Sequence, residues 1–368
     1  MRRVCSRRRS RHSRVSRQVK GRKEKAEGAT PAAPWEQLTE LEDYQALCRV
    51  RLEHLVPVRE PLVLVSHVQR SGGTLLSQLF DGHAECHAHP HELKIGYPRE
   101  HNWPPLDLSR PESCFEMLFE KRSVWHFRRG YSKSTHRYED YDVFPFAFLP
   151  RLQKAIFDAC VEGRSVGRER DVLDCYFTSY FNAWLDNHNL YTGPKKVVTG
   201  FAPRLAMEAA NLERFFAAYP EGTLISIVRD PRAWYVSASN YAPEHYADVE
   251  IALELWRRST ESAIEAGERY GERVLVLTYE RLLEQPEATM AWIAERIGIT
   301  MSPQLLVPTF NGRPIRANSA YPVERYGILP ERAGVYRDSL DPERVERIGE
   351  LAGGLYERAL MSSGPGRC

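Results

Sequence analysis

Four short apolar segments, each followed by a helical pattern, constrain the fold of this chain more than any other feature. They lie at residues 62–65, 197–198, 224–228 and 274–277. They are continuous apolar runs, interrupted only by Ser226 in the third, which is typical of strands buried on both faces. Parallel strands need crossover connections, so this alternation predicts a parallel sheet with helices on both of its faces.

The distribution of charge divides the chain into a basic tail and a mildly acidic body. Residues 1–25 contain twelve Arg or Lys and one Glu, a net charge of +11, whereas the whole chain of 368 residues carries only +2. We interpret residues 1–34 as a basic, disordered tail and linker, and residues 35–368 as one large α/β domain. The tail either binds nucleic acid or has no role in function, and the sequence leaves both possibilities open.

Cysteine usage and hydropathy bear on the cellular compartment. The seven cysteines are odd in number and contain no C-x-x-C pair, which favours reduced thiols over a disulfide framework. The chain contains no run of 18 apolar residues, and no apolar core follows the basic N-terminus. We therefore expect a cytoplasmic protein without a membrane span, while its oligomeric state stays open.

A glycine-containing loop joins the first apolar segment to a helix and reads Arg70-Ser71-Gly72-Gly73-Thr74-Leu75. Such a junction directs backbone N–H groups and the positive end of a helix at one point, where an anion can bind. The glycines permit close approach of the backbone, and Arg70 adds positive charge. No Lys follows the glycines as it does in a Walker A loop, which disfavours a magnesium-nucleotide kinase.

A second strand-to-helix junction follows the third apolar segment. Asp230 is a good N-cap and Pro231 suits the first helical position, so Arg229 is expected at the carboxyl end of a strand. Ser237 follows Arg229 by eight residues, and the two side chains could together hold a phosphate. The alternative is a local ion pair between Arg229 and Asp230.

The two junctions together resemble the sulfotransferase superfamily. Residues 70–74 are similar to its 5′-phosphosulfate loop, and Arg229 with Ser237 is similar to its 3′-phosphate motif. A Tyr-Glu turn at residues 279–280 also matches the family pattern. The resemblance spans about residues 60–360. It implies a three-layer α/β sandwich of the P-loop nucleoside triphosphate hydrolase type, with 3′-phosphoadenosine 5′-phosphosulfate (PAPS) as donor and no metal.

The resemblance also implies roles for individual residues. Arg70, Thr74 and the N–H groups from Gly72 to Leu75 would stabilise the charge that develops on the leaving 5′-phosphate. Arg229 and Ser237 would bind the 3′-phosphate, a group that ATP lacks. The acceptor would be a hydroxyl group of a sugar, a lipid or a small metabolite.

A general base is expected in the His-rich segment 83–93, because the family places a Glu or a His after the phosphate-loop helix. Glu92 is the first candidate, followed by His91 and His89. These histidines could instead bind a metal or lie at the surface. A metal site is not expected, because no Cys or Asp in the segment completes a ligand set.

Residues 90–200 are interpreted as helical or irregular insertions that bind the acceptor, although their aromatic side chains could equally form additional core. A later basic segment contains Arg313 and Arg316. By resemblance these could cover the adenosine and the 3′-phosphate, but the Arg-Lys-Gly triplet of cytosolic relatives is absent. Two rival functions are a P-loop kinase-like phosphotransferase and a non-enzymatic nucleotide-binding protein with a nucleic-acid-binding tail.

Overall fold

The computed structural model describes residues 40–95, 102–127, 130–131, 143–316 and 325–364 of the chain. The chain divides into two compact units, residues 1–49 and 50–368. The described part of the first unit is the beginning of helix α1 (Glu40–Glu53), and the second unit contains all other described elements. The basic tail predicted at residues 1–34 lies outside the described residues.

Strands and helices alternate through the second unit, as the sequence predicts. In chain order the elements are β1 (Leu62–Val65), α2 (Gly73–Phe80), β2 (Cys86–Glu92), α3 (Cys114–Leu118), α4 (Lys121–Phe127), α5 (Pro150–Glu162), α6 (Glu169–Ala183), β3 (Val197–Phe201), α7 (Ala209–Ala218), β4 (Thr223–Val228), α8 (Pro231–Tyr241), α9 (Pro243–Tyr246), α10 (Val249–Tyr270), β5 (Val274–Thr278), α11 (Tyr279–Glu284), α12 (Pro286–Ile297), β6 (Thr309–Phe310), β7 (Arg313–Pro314) and α13 (Pro342–Ser362). None of the helices within the described ranges combines the length and the apolar composition needed to cross a membrane.

Five strands form one parallel sheet in the order β2-β3-β1-β4-β5. Strand β1 is central, with Val65 opposite Phe201 of β3 on one side and opposite Ile225 of β4 on the other. Because β1 and β4 are neighbours, the loops that follow them lie side by side at the carboxyl edge of the sheet. Ligands of open α/β sheets bind at this edge.

Alternate residues of the central strands face two separate hydrophobic cores. Leu62 and Leu64 belong to a core shared with α6, α10 and α13, whereas Val63 and Val65 belong to a core shared with α2 and α12. Strands covered on both faces are apolar at nearly every position, which explains the apolar runs in the sequence. The prediction of a three-layer α/β sandwich is confirmed.

The His-rich segment forms strand β2 at one edge of the sheet, which the apolar pattern does not predict. Its first six residues are buried, and it pairs in parallel with β3. The register shifts between Ala88 and Glu92, and Pro90 lies within this shift. Proline cannot donate a hydrogen bond to a neighbouring strand and is tolerated at edges and irregularities. Histidine and proline are atypical of buried strands, so the sequence pattern did not indicate a strand here.

Much of the chain between β2 and β3 is helical, and several of its aromatic side chains are core. Trp103, Phe146 and Phe148 are buried, whereas Trp125 is 70% exposed. The alternative interpretation, in which these aromatic residues form additional core, therefore holds for the buried ones.

The cysteine prediction is wrong for one pair. Cys160 of α5 and Cys175 of α6 form a disulfide, with Cα atoms 5.5 Å apart. The two helices are joined by a short loop and pack against each other, which brings the cysteines together. The spacing of cysteines in the sequence does not reveal such packing, so the expectation of reduced thiols throughout fails here.

Candidate functional site

The loop after β1 turns sharply at two glycines and starts α2. Gly72 has a φ of 108°, and a Cβ atom there would lie 2.4 Å from the ring of Tyr279. A Cβ atom at Gly73 would lie 2.4 Å from the ring of Phe201. These contacts explain why the turn requires glycine. The N–H groups of the first turn of α2 have no intrahelical acceptor and are oriented to bind an anion.

Arg70 precedes this turn and has an unusual backbone conformation for a residue with a side chain. Its φ is 71°, in the left-handed region, which costs about 1–3 kcal/mol and is often found at functional sites. Its Nε donates a hydrogen bond to Ser237 Oγ of α8 at 3.2 Å. Its guanidinium group also lies 4.8 Å from the centre of the Tyr241 ring. Arg70 therefore links the first junction to the second.

Arg229 follows the last residue of β4 and reaches back to the first junction. Its Nη1 donates to the carbonyl oxygen of Arg70 at 3.0 Å, while Trp256 Nε1 donates to the carbonyl oxygen of Arg229 at 2.9 Å. Its guanidinium group lies 4.6 Å from the centre of the Tyr279 ring. The structure thus brings Arg70, Arg229 and Ser237 together at one edge of the sheet.

The two arginines place positive charge close together, with Arg229 buried and Arg70 half-buried. The side chain of Arg229 is only 7% exposed, and its Nε has no hydrogen-bond partner among the described residues. Burial and the charge of Arg229 lower the pKa of Arg70, although an arginine stays protonated. Adjacent buried cations are unfavourable unless an opposite charge accompanies them. The arrangement is therefore suited to an anionic ligand.

Asp230 is paired with Arg232 and not with Arg229, the partner considered in the sequence analysis. It caps α8 by accepting the Arg232 N–H at 2.9 Å, and its carboxylate forms a salt bridge with the Arg232 guanidinium at 2.5 Å. Its own N–H donates to Glu280 at 3.1 Å, and Tyr356 donates to the other oxygen of Glu280 at 2.9 Å. The ion pair between Arg229 and Asp230 is therefore not formed.

Two further residues, Tyr279 and Arg332, lie beside the site and are not among the predicted site residues. Tyr279, the first residue of α11, packs between Gly72 and Arg229. Burial raises the pKa of Tyr279, while nearby positive charges, including Arg332, partly oppose this. Arg332 follows a stretch without regular pattern, so no sequence signal pointed to it. The Tyr-Glu turn was noticed only as part of the family pattern.

Glu92, the first candidate base, lies at the same edge of the sheet as the phosphate loop. It is opposite Phe201 of β3, which in turn is opposite Val65 of β1. Two strand spacings separate Glu92 from the end of β1, a distance of about 10 Å. Its side chain is 37% exposed and accepts a hydrogen bond from Lys94 Nζ at 2.8 Å.

His89 and His91 are buried in an ionic network with Glu120. His89 Nε2 lies 2.9 Å from Glu120 Oε1, and its Nδ1 lies 2.9 Å from the carbonyl oxygen of His91. Both ring nitrogens of His89 therefore face acceptor oxygens. The Tyr176 hydroxyl and the Lys94 N–H also donate to Glu120. Burial alone would raise the pKa of Glu120, but His89 and His91 lower it to about 2.

The same three residues are those that could hold a metal. The ligand atoms of His89, His91 and Glu120 lie within 4.8 Å of one another. The third residue of the set, Glu120, lies in the turn between α3 and α4. It is therefore outside the His-rich segment 83–93, in which the sequence offered no third ligand. In the structure these atoms are engaged in hydrogen bonds with one another and with Tyr180, whose hydroxyl lies 2.9 Å from His91 Nε2. Hydrogen bonds within the cluster and to Tyr180 therefore engage the atoms that a metal would need.

The basic segment after α12 lies mainly at the other end of α2. Asp81, directly after α2, accepts hydrogen bonds from Thr309 Oγ1 at 2.7 Å and from the Gly312 N–H at 2.9 Å. This anchors the β6–β7 hairpin, which carries an exposed Arg313, about 12 Å along α2 from the phosphate loop. Arg316 forms a β-bridge with Tyr326, and residues 317–324 lie outside the described part. The structure does not bring Arg313 to the loop.

These features define a class: an α/β protein with a P-loop-like fold, whose two adjacent strand-to-helix junctions form one basic site that is suited to an anion. The family model described as "Sulfotransferase family" matches residues 61–303, which is more than half of the chain. The protein belongs to the sulfotransferase family. No curated protein sequence matches it.

Several solved structures align with most of the chain. The sulfotransferase domain of the Synechococcus PCC 7002 olefin synthase aligns with a TM-score of 0.50 at 17% identity, covering 82% of this chain and 96% of that domain. The sulfotransferase domain of the curacin biosynthetic pathway aligns with a TM-score of 0.47 at 17% identity, covering 80% and 98%. A Mycobacterium avium sulfotransferase aligns with a TM-score of 0.40 at 17% identity, covering 87% and 81%. At these identities the similarity concerns the fold alone.

Proposed function

We propose that the protein transfers a sulfuryl group from PAPS to a hydroxyl group of a sugar, a lipid or a small metabolite. Membership of the sulfotransferase family supports sulfuryl transfer as the reaction. The observation that carries the choice of donor is the contact between the Arg229 guanidinium and the carbonyl oxygen of Arg70, which brings the cationic residues of the two adjacent junctions together. A ligand with anionic groups at both its 3′ and 5′ positions would neutralise both.

The first junction would hold the 5′-phosphosulfate and stabilise the leaving phosphate. Arg70, Thr74 and the N–H groups of residues 72–75 surround the start of α2. The hydroxyl of Ser71 is buried and has no partner among the described residues, so it can donate to a bound oxygen. One such preorganised donor typically lowers a barrier by about 2.7–4 kcal/mol when charge develops beside it.

The second junction would hold the 3′-phosphate. Ser237 Oγ accepts a hydrogen bond from Arg70, which leaves its own hydrogen for a phosphate oxygen. Arg229 has a buried Nε without a partner in the described ranges. Charged, directed hydrogen bonds from these groups would select PAPS over ATP, which has no 3′-phosphate.

Glu92 is the proposed general base. It is partly exposed at the carboxyl edge of the sheet, whereas His89 and His91 are buried and engaged with Glu120. A base must reach the acceptor proton, and of the three candidates Glu92 best meets this condition.

Ligand-dependent stability tests the donor assignment. Adenosine 3′,5′-bisphosphate at 100 times its dissociation constant should stabilise the protein by about 2.7 kcal/mol, and ATP should stabilise it less. Arg229→Ala should abolish the difference between the two nucleotides, whereas Arg257→Ala, at an exposed arginine paired with Glu254 and Glu261, should preserve it. Thermal unfolding with each nucleotide measures both effects.

Equal stabilisation of the wild type by ATP would contradict the 3′-phosphate assignment and favour the kinase-like alternative. Nucleotide binding without any sulfuryl transfer would favour the non-enzymatic alternative. Within the described residues, no contact specifically favours either rival.

A further inference from the structure

His67 lies in the phosphate loop, two residues after β1, and has a defined tautomer. Its side chain is buried, and the Ile227 N–H of β4 donates to its Nδ1 at 3.3 Å. A ring that accepts at Nδ1 carries its proton on Nε2. Burial lowers the pKa of His67 to about 3, which agrees with a neutral ring near neutral pH. His67 therefore presents one hydrogen-bond donor, at Nε2.

This donor is directed at the start of α2. A Cβ atom at Gly73 would lie 2.7 Å from His67 Nε2, so the nitrogen lies directly against the first residue of the helix. The ring also stacks on Phe201, with centroids 5.2 Å apart and planes at 25°, which limits its rotation. The position and direction of the donor are thus set by three strands.

The donor has no acceptor in the part of the chain that the structure describes. A buried donor left unpaired is costly, and such groups in folded proteins usually have a functional explanation. Ser71 Oγ, four residues later in the same loop, is also buried and unpaired among the described residues. Two such groups at the N-terminus of one helix point to a shared anionic ligand.

We propose that His67 donates a hydrogen bond from Nε2 to an oxygen of the 5′-phosphate group of the sulfuryl donor. The inference rests on the proposed function and adds a residue to it. The half-buried Arg70 and the buried Arg229 already place two cations at this edge. A neutral imidazole supplies a further hydrogen bond to the phosphate without adding a third positive charge in the unliganded protein.

Two substitutions test the roles of the two ring nitrogens of His67 separately. The side-chain oxygen of Asn reaches about the position of Nδ1, so His67→Asn keeps the acceptor for Ile227 and removes the donor. The amide nitrogen of Gln reaches about the position of Nε2, so His67→Gln keeps a donor and removes the acceptor. Thermal unfolding identifies which variants are folded before binding is measured.

Calorimetric titration with two nucleotides assigns the contact to the 5′ end. His67→Asn should weaken binding of adenosine 3′,5′-bisphosphate about tenfold while binding of adenosine 3′-monophosphate stays unchanged. His67→Gln should retain more of the bisphosphate affinity than His67→Asn. Arg229→Ala is the matched control, and it should weaken binding of both nucleotides because both carry the 3′-phosphate.

The outcomes distinguish a failure of the proposed function from a failure of the role proposed for His67. A wild type that prefers neither 3′-phosphorylated nucleotide over ATP overturns the proposed function. A wild type that binds the bisphosphate, together with a folded His67→Asn variant that binds it equally well, overturns the role of His67 alone. Equal weakening of both nucleotides by His67→Asn also overturns it, because that result indicates a general disturbance of the loop.

Discussion

Each charged side chain of the site has its position set by neighbours from other elements. The carbonyl oxygen of Arg229 accepts from Trp256 of α10, and its guanidinium group lies over Tyr279 of α11. Arg70 adopts a left-handed backbone and donates to Ser237 of α8. Side chains held in this way need little reorganisation when a ligand binds, which favours both affinity and transition-state stabilisation.

A substitution at Glu92 tests the proposed base. Glu92→Gln should lower kcat by about 10²–10⁴-fold, because the amide cannot accept the acceptor proton, while affinity for adenosine 3′,5′-bisphosphate stays the same. Steady-state turnover of PAPS, with an acceptor found by screening hydroxyl compounds, measures the first effect and calorimetry the second. Glu116→Gln, at an exposed glutamate of α3, is the control and should retain wild-type turnover. Wild-type turnover by Glu92→Gln would require a different base.

Strand β2 shows how an element with unfavourable local composition is stabilised by its surroundings. His91 and Lys94 flank Glu92, and both are tied to Glu120, through His91 Nδ1 at 3.5 Å and the Lys94 N–H at 3.2 Å. The chain on either side of Glu92 is therefore held by a buried carboxylate. This contact links the turn between α3 and α4 to the edge of the sheet that carries the proposed base.

The buried network predicts a dependence of stability on pH. Folding lowers the pKa of Glu120 from its ordinary value of 4.5 to about 2, so the ionised carboxylate stabilises the native state above pH 4.5. This contribution should be lost as the pH falls from about 4.5 towards 2. Glu120→Gln should destabilise the protein at pH 7 by about 3–5 kcal/mol, because His89 would lose its partner. Chemical denaturation of both proteins at several pH values measures the difference.

A second, milder substitution tests the same network in case the Glu120→Gln variant does not fold. Tyr176→Phe removes one hydrogen bond to Glu120 and should lower the free energy of unfolding by about 0.5–1.5 kcal/mol.

The stability difference between wild type and Glu120→Gln should narrow below pH 4.5. A difference that stays constant down to pH 2 would mean that Glu120 is not ionised in the folded protein.

At the scale of the whole molecule, the sheet order brings the two junctions together. Strands β1 and β4 are separated in the sequence by β2, β3 and several helices, yet they are neighbours in the sheet. One ligand can therefore contact both loops. The residues of the candidate site all belong to the second compact unit, residues 50–368.

Removal of residues 1–30 separates the tail from the site. These residues contain most of the basic charge of the tail, so any affinity for DNA should disappear through loss of counterion release. Binding of adenosine 3′,5′-bisphosphate should persist, because its proposed contacts lie in the second unit. Titrations of the full chain and of the truncated chain with duplex DNA and with the bisphosphate measure both. A folded, truncated protein that no longer binds the bisphosphate would contradict this division of roles.

The sequence by itself determined the features that depend on neighbouring residues. Apolar runs predicted four of the five strands of the main sheet, because strands covered on both faces are apolar at nearly every position. The glycines at positions 72 and 73 predicted the turn into α2, since the backbone conformation and the close contacts there exclude other residues. Asp230 predicted the start of α8 through its capping side chain.

Only the tertiary structure decided which distant groups meet. Glu120 lies about thirty residues from His89, and Cys160 pairs with a residue on another helix. His67 is one residue of a loop in the sequence, and only its contacts with β4, Phe201 and Gly73 turn it into a directed donor. Burial and long-range packing determine these partners, and neither is encoded in the local pattern of residues.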